Sequence, residues 1–155
     1  MFCKKSLFFL LPLFFCACSS VVSVKINNVE NSNLNNRHDD VPVTAIVYQL
    51  KDIKKFEEAS DIDLATREEG VLGKDKLDSI KTQIAPKDNI IAVKVDEEEV
   101  PYVGILVLFA NNTKKTTKIW AKTEDANGFG KNKYLKFEIS KEGIKRIKLG
   151  IIYGK

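Results

Sequence analysis

Tyr102-Val103-Gly104-Ile105-Leu106-Val107-Leu108-Phe109-Ala110 is apolar at almost every position. Successive side chains of a strand point to opposite faces, so a strand without alternation is covered on both sides. Its β-branched residues and short length favour strand over helix. The stretch predicts the central strand of a layered β domain.

The chain on its C-terminal side continues in the same style. Asn111-Asn112 marks a turn into Thr116-Thr117-Lys118-Ile119-Trp120-Ala121. Asn127-Gly128-Phe129-Gly130 marks another into Tyr134-Leu135-Lys136-Phe137-Glu138-Ile139, and a last strand is predicted from Ile144 to Ile152. Short apolar runs separated by Asn and Gly are the mark of strands joined by tight turns. Phe109, Trp120 and Phe137 fall on these strands in apolar company and are expected in the core. Lys141 to Lys148 is basic but interleaved with Ile144 and Ile147, so it reads as the polar face of a strand.

On the N-terminal side, Asp96-Glu97-Glu98-Glu99 and Pro101 form an acidic turn, preceded by Ile91, Val93 and Val95 on one face of a strand. Leu77, Ile80 and Ile84 share a helical face, predicting a helix over Lys74–Ala85 that Pro86 stops. Asp52 is placed to cap a helical turn through Phe56, and Ser60 with Asp63 resembles a capping box opening a second one around Leu64. A helical insertion is thus expected over about residues 51–86. Before it, Val43–Leu50 is a clear strand, and Ser20–Ile26 alternates as a half-buried strand does. Seven strands with one helical interruption predict a mainly β fold: an antiparallel β-sandwich with a small helical insertion after the second strand.

Between the first two strands lies Asn27-Asn28-Val29-Glu30-Asn31-Ser32-Asn33-Leu34-Asn35-Asn36-Arg37-His38-Asp39-Asp40. Adjacent antiparallel strands usually need only about 2–5 connecting residues, and longer loops are commonly functional. Leu34 is the main apolar side chain among polar ones. One apolar anchor with a polar rim suits a protein contact, to which Arg37 can add a charge-assisted hydrogen bond.

The N-terminus has a different character. Lys4 and Lys5 precede the apolar run Leu7–Phe15, which ends in Cys16-Ala17-Cys18-Ser19-Ser20. A positive segment, an apolar core and a small residue before a cut are the parts of a secretory leader. The run falls well short of the roughly 20 residues a membrane-spanning helix needs. The ending resembles bacterial lipoprotein signals, in which a small residue precedes a cysteine that becomes the acylated N-terminus. Ala17-Cys18 fits; Phe15-Cys16 does not, because a bulky Phe occupies the small-residue position. The resemblance implies a leader over residues 1–17, a single domain over 18–155, and covalent lipid on Cys18. Ser19, where an Asp often marks inner-membrane retention, favours the periplasmic face of the outer membrane.

Removal of that leader takes away Cys3 and Cys16, and acylation uses Cys18, so no thiol is left for a disulfide or a thiolate metal site. The formal charge of +4 loses Lys4 and Lys5 and falls to about +2, too balanced for a nucleic-acid binder. His38 is the single histidine, beside Asp39 and Asp40 in a polar loop, which is not a preorganised acid–base or metal site. Asp96–Glu99 lacks the spaced oxygen ligands and the glycine of a calcium loop. No glycine-rich phosphate loop or Gly-x-Ser-x-Gly is present. These readings predict no catalytic residue, no metal and no small-molecule substrate.

Several segments, in order along the chain behind the leader, resemble the outer-membrane lipoproteins of type VI secretion systems, the TssJ, SciN or VasD family. Leu34-Asn35-Asn36 resembles the family's Leu-Asn-Pro. Val47-Tyr48-Gln49-Leu50 resembles its strand ending in Tyr-Gln-Leu. Phe56, Ala59 and Leu64, then Leu72-Gly73 with Pro86, match its helix and the segment after it. Tyr102-Val103-Gly104-Ile105 with Phe109 and Trp120 resembles its Tyr-Val-Gly-Val…Phe-Arg…Trp-Arg block, although Ala110 and Ala121 stand where arginines are common. The resemblance implies a transthyretin-like periplasmic sandwich that links the outer membrane to the periplasmic domain of the inner-membrane TssM-type protein. It places that contact on the first interstrand loop, here Asn33, Leu34, Asn35, Asn36, Arg37, His38 and Asp39. The alternative is a generic periplasmic ligand- or protein-binding lipoprotein on the same sandwich.

Overall fold

The computed structural model describes residues 20–148. The predicted leader, Cys18 and the end of the predicted last strand lie outside the described residues. Eight strands form two four-stranded sheets: β1 (Val21–Asn28), β2 (Val43–Leu50), β3 (Lys76–Ile84), β4 (Asn89–Asp96), β5 (Tyr102–Leu108), β6 (Lys118–Lys122), β7 (Lys133–Ser140) and β8 (Gly143–Ile147). One sheet has the order β4-β1-β7-β8 and the other β3-β2-β5-β6. Every pairing is antiparallel except β1 with β7, where Val22 lies beside Lys133 and Asn28 beside Ile139. The fold is a β-sandwich with a helical insertion after the second strand.

β5 lies between β2 and β6, the central position its apolar run predicts. The reason it is apolar on both faces is that two cores meet there. Val103, Ile105 and Val107 face the other sheet and pack in the sandwich core with Val22, Val24, Ile26, Leu135, Phe137 and Ile139. Leu106 faces outward, into a second core with Ile46, Tyr48 and Leu50 of β2 and Phe56, Leu64 and Leu72 of the insertion. β2 is therefore covered on both faces as well.

The insertion consists of three short helices, α1 (Lys54–Glu58), α2 (Asp61–Thr66) and α3 (Glu68–Leu72), followed by a single 3-10 turn at Gly73–Asp75. Helices of five or six residues are not stable alone, so packing and caps decide their existence. Ser60 caps α2 by accepting the amide of Asp63 at 3.1 Å, as the capping-box reading predicts. The Asp52 carboxylate accepts the amide of Lys54 at 2.8 Å at the start of α1. Lys118 of β6 donates from Nζ to the carbonyls of Phe56, Glu57 and Ala59 at 3.0, 3.0 and 2.7 Å, satisfying orphan acceptors at the end of α1. The Tyr48 hydroxyl, buried, donates to Leu64 O at 2.8 Å. Burial and, after it, the charges of Glu68 and Asp61 raise its pKa above the ordinary phenol range.

Gly104 explains how α1 sits so close to the sheet. A Cβ at that position would lie 2.8 Å from the Phe56 ring. The ring thus rests on bare backbone. Trp120, opposite Gly104 on β6, flanks this contact and donates from Nε1 to Glu57 at 2.7 Å. The Tyr-Val-Gly and Trp elements of the chain are in this fold the seat of its helical lid.

Three expectations are corrected. Lys74–Ala85 is not a helix: Lys76–Ile84 is β3, an edge strand, and the insertion ends at Asp75 rather than near residue 86. Leu77, Ile80 and Ile84 have helical spacing, but Ile80, Thr82 and Ile84 also recur with period two and are β-branched. Pairing with β2 from Val43–Ile84 to Leu50–Lys76 decides for strand. Edge position leaves Leu77 39% exposed, so the strand lacks the continuous apolar signal of β5. Among the described residues the strand count is accordingly eight, not seven. Of the three aromatics assigned to the core, Phe137 is fully buried, but Phe109 and Trp120 are only partly covered. Phe109 lies one residue past β5, and Trp120 faces outward at the rim of the insertion on edge strand β6.

Candidate functional site

The ends of the sandwich are distinct. At one end lie the start of β1, the turn from β4 to β5, and the start of β7, since Val22 pairs with both Val95 and Lys133. At the other lie the segment between β1 and β2 and the connection between β5 and β6. β1 spans eight residues, about 25 Å at a strand rise of roughly 3.3 Å per residue.

The β1–β2 segment, residues 29–42, is a built structure. Its base is Asn28, fully buried, whose amide donates to Ile84 O and Ala85 O at 3.1 and 3.0 Å and whose carbonyl accepts from Ser32 Oγ. Asn33, only 2% exposed, is the central fastener. Its Nδ2 donates to Pro42 O at 2.9 Å and Val41 O at 3.3 Å, and its Oδ1 accepts from the amide of Ala110 at 2.7 Å. Asp40 accepts the amide of Asn31 at 2.7 Å. Lys115 donates to Ser32 O at 2.7 Å while lying over the Phe109 ring at 4.4 Å. Burial lowers the pKa of that ammonium, and Asp40 partly opposes the shift.

Above this base Leu34 bridges to Asp40 in antiparallel fashion and the tip closes on itself. The Asn35 carbonyl oxygen Oδ1 accepts the amides of Arg37 and Asp39 at 2.8 and 3.0 Å, an Asx-type turn. His38 holds a left-handed backbone with φ 64° and donates its amide to Asn35 O at 2.9 Å. Asn36, Arg37, His38 and Asp39 are exposed, and Leu34 and Asn35 are half-buried. Leu34 forms part of the wall of a groove of about 580 Å³, faced across by Asn111, Thr113, Lys115 and Lys141.

Sequence reasoning picked out Asn33 to Asp39 as one contact surface, and the structure divides it. Asn33 points inward and holds the loop, while Leu34 to Asp39 make the available surface. It missed Asp40, Ala110 and Lys115. Asp40 had a local signal, as an Asx residue closing an Asn-rich turn. Ala110 and Lys115 had none, since they reach the loop from 77 and 83 residues away. Among the described residues no group of three or more His, Cys, Asp or Glu side chains is arranged to hold a metal ion, and no helix is long and apolar enough to cross a membrane. In the acidic turn, Glu97 pairs with Lys133 at 2.6 Å and Asp96 accepts the amide of Glu98 at 2.9 Å.

Two sheets, a helical lid on one of them and a self-bonded loop at one end define a loop-presenting β-sandwich. Residues 20–142 match the family described as type VI secretion lipoprotein, VasD, EvfM, TssJ, and the chain belongs to that family. No curated protein matches the sequence significantly. Among solved structures, the fold is similar to Lip of Serratia marcescens, a membrane-bound component of the type VI secretion system, with TM-score 0.72 and 18% identity over 85% of this chain and 99% of that one. It is similar to the type VI lipoprotein TssJ1 of Pseudomonas aeruginosa, with TM-score 0.71 and 15% identity over 83% and 95% of the two chains. A chain in the structure of the TssM C-terminal domain from EAEC matches with TM-score 0.67 and 19% identity over 81% and 99%.

Proposed function

We propose that this protein is a structural, non-enzymatic lipoprotein of the type VI secretion membrane complex. It is anchored through lipid on Cys18 to the periplasmic face of the outer membrane, and it holds the periplasmic domain of the inner-membrane TssM-type protein through the loop Leu34–Asp39. The observation that carries this reading is the loop itself: fourteen residues, bonded to their own scaffold by Asn28, Asn33, Asp40 and Lys115, at the end of β1 remote from its N-terminus. A preorganised loop loses little conformational entropy on binding. A strand then separates the anchor from the contact, so each end of the domain serves a different attachment. The likeness to a chain of the TssM C-terminal domain structure supports the choice of partner. Because both chains would be membrane-tethered, a modest intrinsic affinity is multiplied by effective concentration.

Titration of the TssM-type periplasmic domain by calorimetry tests the loop. Leu34→Ala and Arg37→Ala are each expected to weaken binding about tenfold, the effect of roughly 1.4 kcal/mol. A variant with the loop cut to a tight turn is expected not to bind. If that variant folds and binds with unchanged affinity, the interface lies elsewhere.

The anchor has its own test. Cys18→Ser is expected to leave the precursor uncleaved or to release the protein from the membrane fraction. Mass spectrometry of the native protein should find acyl chains on an N-terminal Cys18. Acylation of Cys16, or none, would sink the assignment.

A further inference from the structure

Phe129 is 96% exposed, the most exposed of the large apolar side chains among the described residues. Such a side chain on a loose loop carries little meaning, but the backbone that carries this one is held in place. Asn127 and Tyr134 exchange backbone hydrogen bonds at 2.9 and 2.8 Å, and the amide of Asn132 donates to Phe129 O at 3.2 Å, closing a hairpin tip. Gly128 has φ 113°, and a Cβ there would meet Asn132 O at 2.3 Å, so the tip depends on glycine at that position. Lys133, at the base of the tip, is tied to Glu97 at 2.6 Å.

The register says where this tip points. Lys133 lies beside Val22 in the parallel pairing of β1 and β7. One step further back sets Asn132 level with Val21, and Phe129–Lys131 lie past it, at the end of the sandwich where β1 begins. Three residue steps separate Cys18 from Val21, at most roughly 11 Å of chain. A bilayer's polar headgroup zone is itself about 5–8 Å deep on each side. A lipid on Cys18 would therefore hold this end of the sandwich against the headgroups, and the built tip, with Phe129 and Lys131 exposed, belongs to that end.

We infer that the hairpin tip Gly128–Asn132 is a membrane contact, in which Phe129 enters the headgroup–acyl boundary and Lys131 meets lipid phosphate. An aromatic ring at the boundary with a flexible cation beside it matches the chemistry of that zone. A second contact beside the acyl anchor would fix the tilt of the domain. It would hold the β1–β2 loop out toward the periplasm. This inference rests on the reading of Cys18 as the lipid attachment.

The test uses the full lipidated protein in vesicles of phosphatidylethanolamine and phosphatidylglycerol. With the sulfur of Cys18 acylated, Phe129→Cys supplies the mature chain's single free thiol for a nitroxide label, and Lys114→Cys supplies a control at the opposite end. Both positions are exposed, so neither substitution touches the core. The ratio of oxygen to aqueous nickel collisions, read by spin-label power saturation, is expected to be several-fold higher at 129 than at 114. Vesicle-bound protein with an equally aqueous label at both positions overturns the membrane contact and leaves the anchor intact. Protein that does not float with the vesicles overturns the anchor reading and this inference with it.

Discussion

Phe56→Ala is expected to remove about 3–5 kcal/mol of stability, the usual cost of truncating a buried aromatic residue. That is a large share of the roughly 5–15 kcal/mol that holds a domain folded. Phe56 is fully buried, its ring centroid 5.5 Å from that of Tyr48, and it is the side chain through which α1 rests on Gly104. Loss of the ring leaves the second core, between the insertion and the sheet, without its keystone, while the core between the sheets is untouched. The expected outcome is a lowered melting temperature with early loss of protection in residues 54–72, read by hydrogen exchange. Gly104→Ala supplies the complementary measurement. In the otherwise unchanged protein the added methyl meets the ring and is expected to destabilise by about 1–3 kcal/mol, as overpacking does. In the Phe56→Ala background it has space and should cost much less, so the two substitutions should couple in a double-mutant cycle. Additive effects would show that the glycine is not there for the ring.

Asn33→Ala is expected to have the largest effect at the candidate site. The alanine removes one acceptor and one amide group at once. It strands the Ala110 amide and leaves the Pro42 carbonyl without the 2.9 Å bond it now accepts. A fully buried polar group left unpaired costs about 1–3 kcal/mol, and these two part-buried bonds set the expected loss at the lower end of that range. The loss should exceed that of Asn36→Ala at the exposed tip, where surface substitutions usually stay within about 0.5 kcal/mol. Exchange of the Ala110 amide should quicken, and affinity for the TssM-type domain should fall even though Asn33 offers no surface to a partner. Unchanged exchange at Ala110 would show that the loop keeps its shape without this residue.

Asn33 marks where sequence reading stops. A loop of such length between two clear strands was visible as a candidate contact, and so was the Asn-rich character that builds turns. That Asn33 turns in and Arg37 turns out was not visible. The partner that fixes Asn33 is a backbone amide 77 residues away, and no local pattern encodes it. The same holds for Lys115, which reads as one more loop lysine until its 2.7 Å bond to Ser32 O is seen. The lysine at 118 likewise belongs to an alternating strand by its spacing. Only packing reveals that it closes the carbonyl end of α1.

What the sequence determined by itself are the features set by local physics. β5 is apolar on both faces, so it had to be covered twice. Asn and Gly pairs end strands because they tolerate turn backbone, and Ser60 opens α2 because its hydroxyl accepts the Asp63 amide. The leader proposed over residues 1–17 rests on composition and order alone. What only the tertiary structure decided are the features whose local signals conflict or fall silent. Residues 76–84 carry both a helical and a strand period, and β2 resolved the conflict by offering a free edge whose backbone groups needed partners. Phe129 reads as a turn residue, and Val22 beside Lys133 is what sets it at the end of the domain where β1 begins. Register is a relation between distant strands, so no single stretch of the chain contains it.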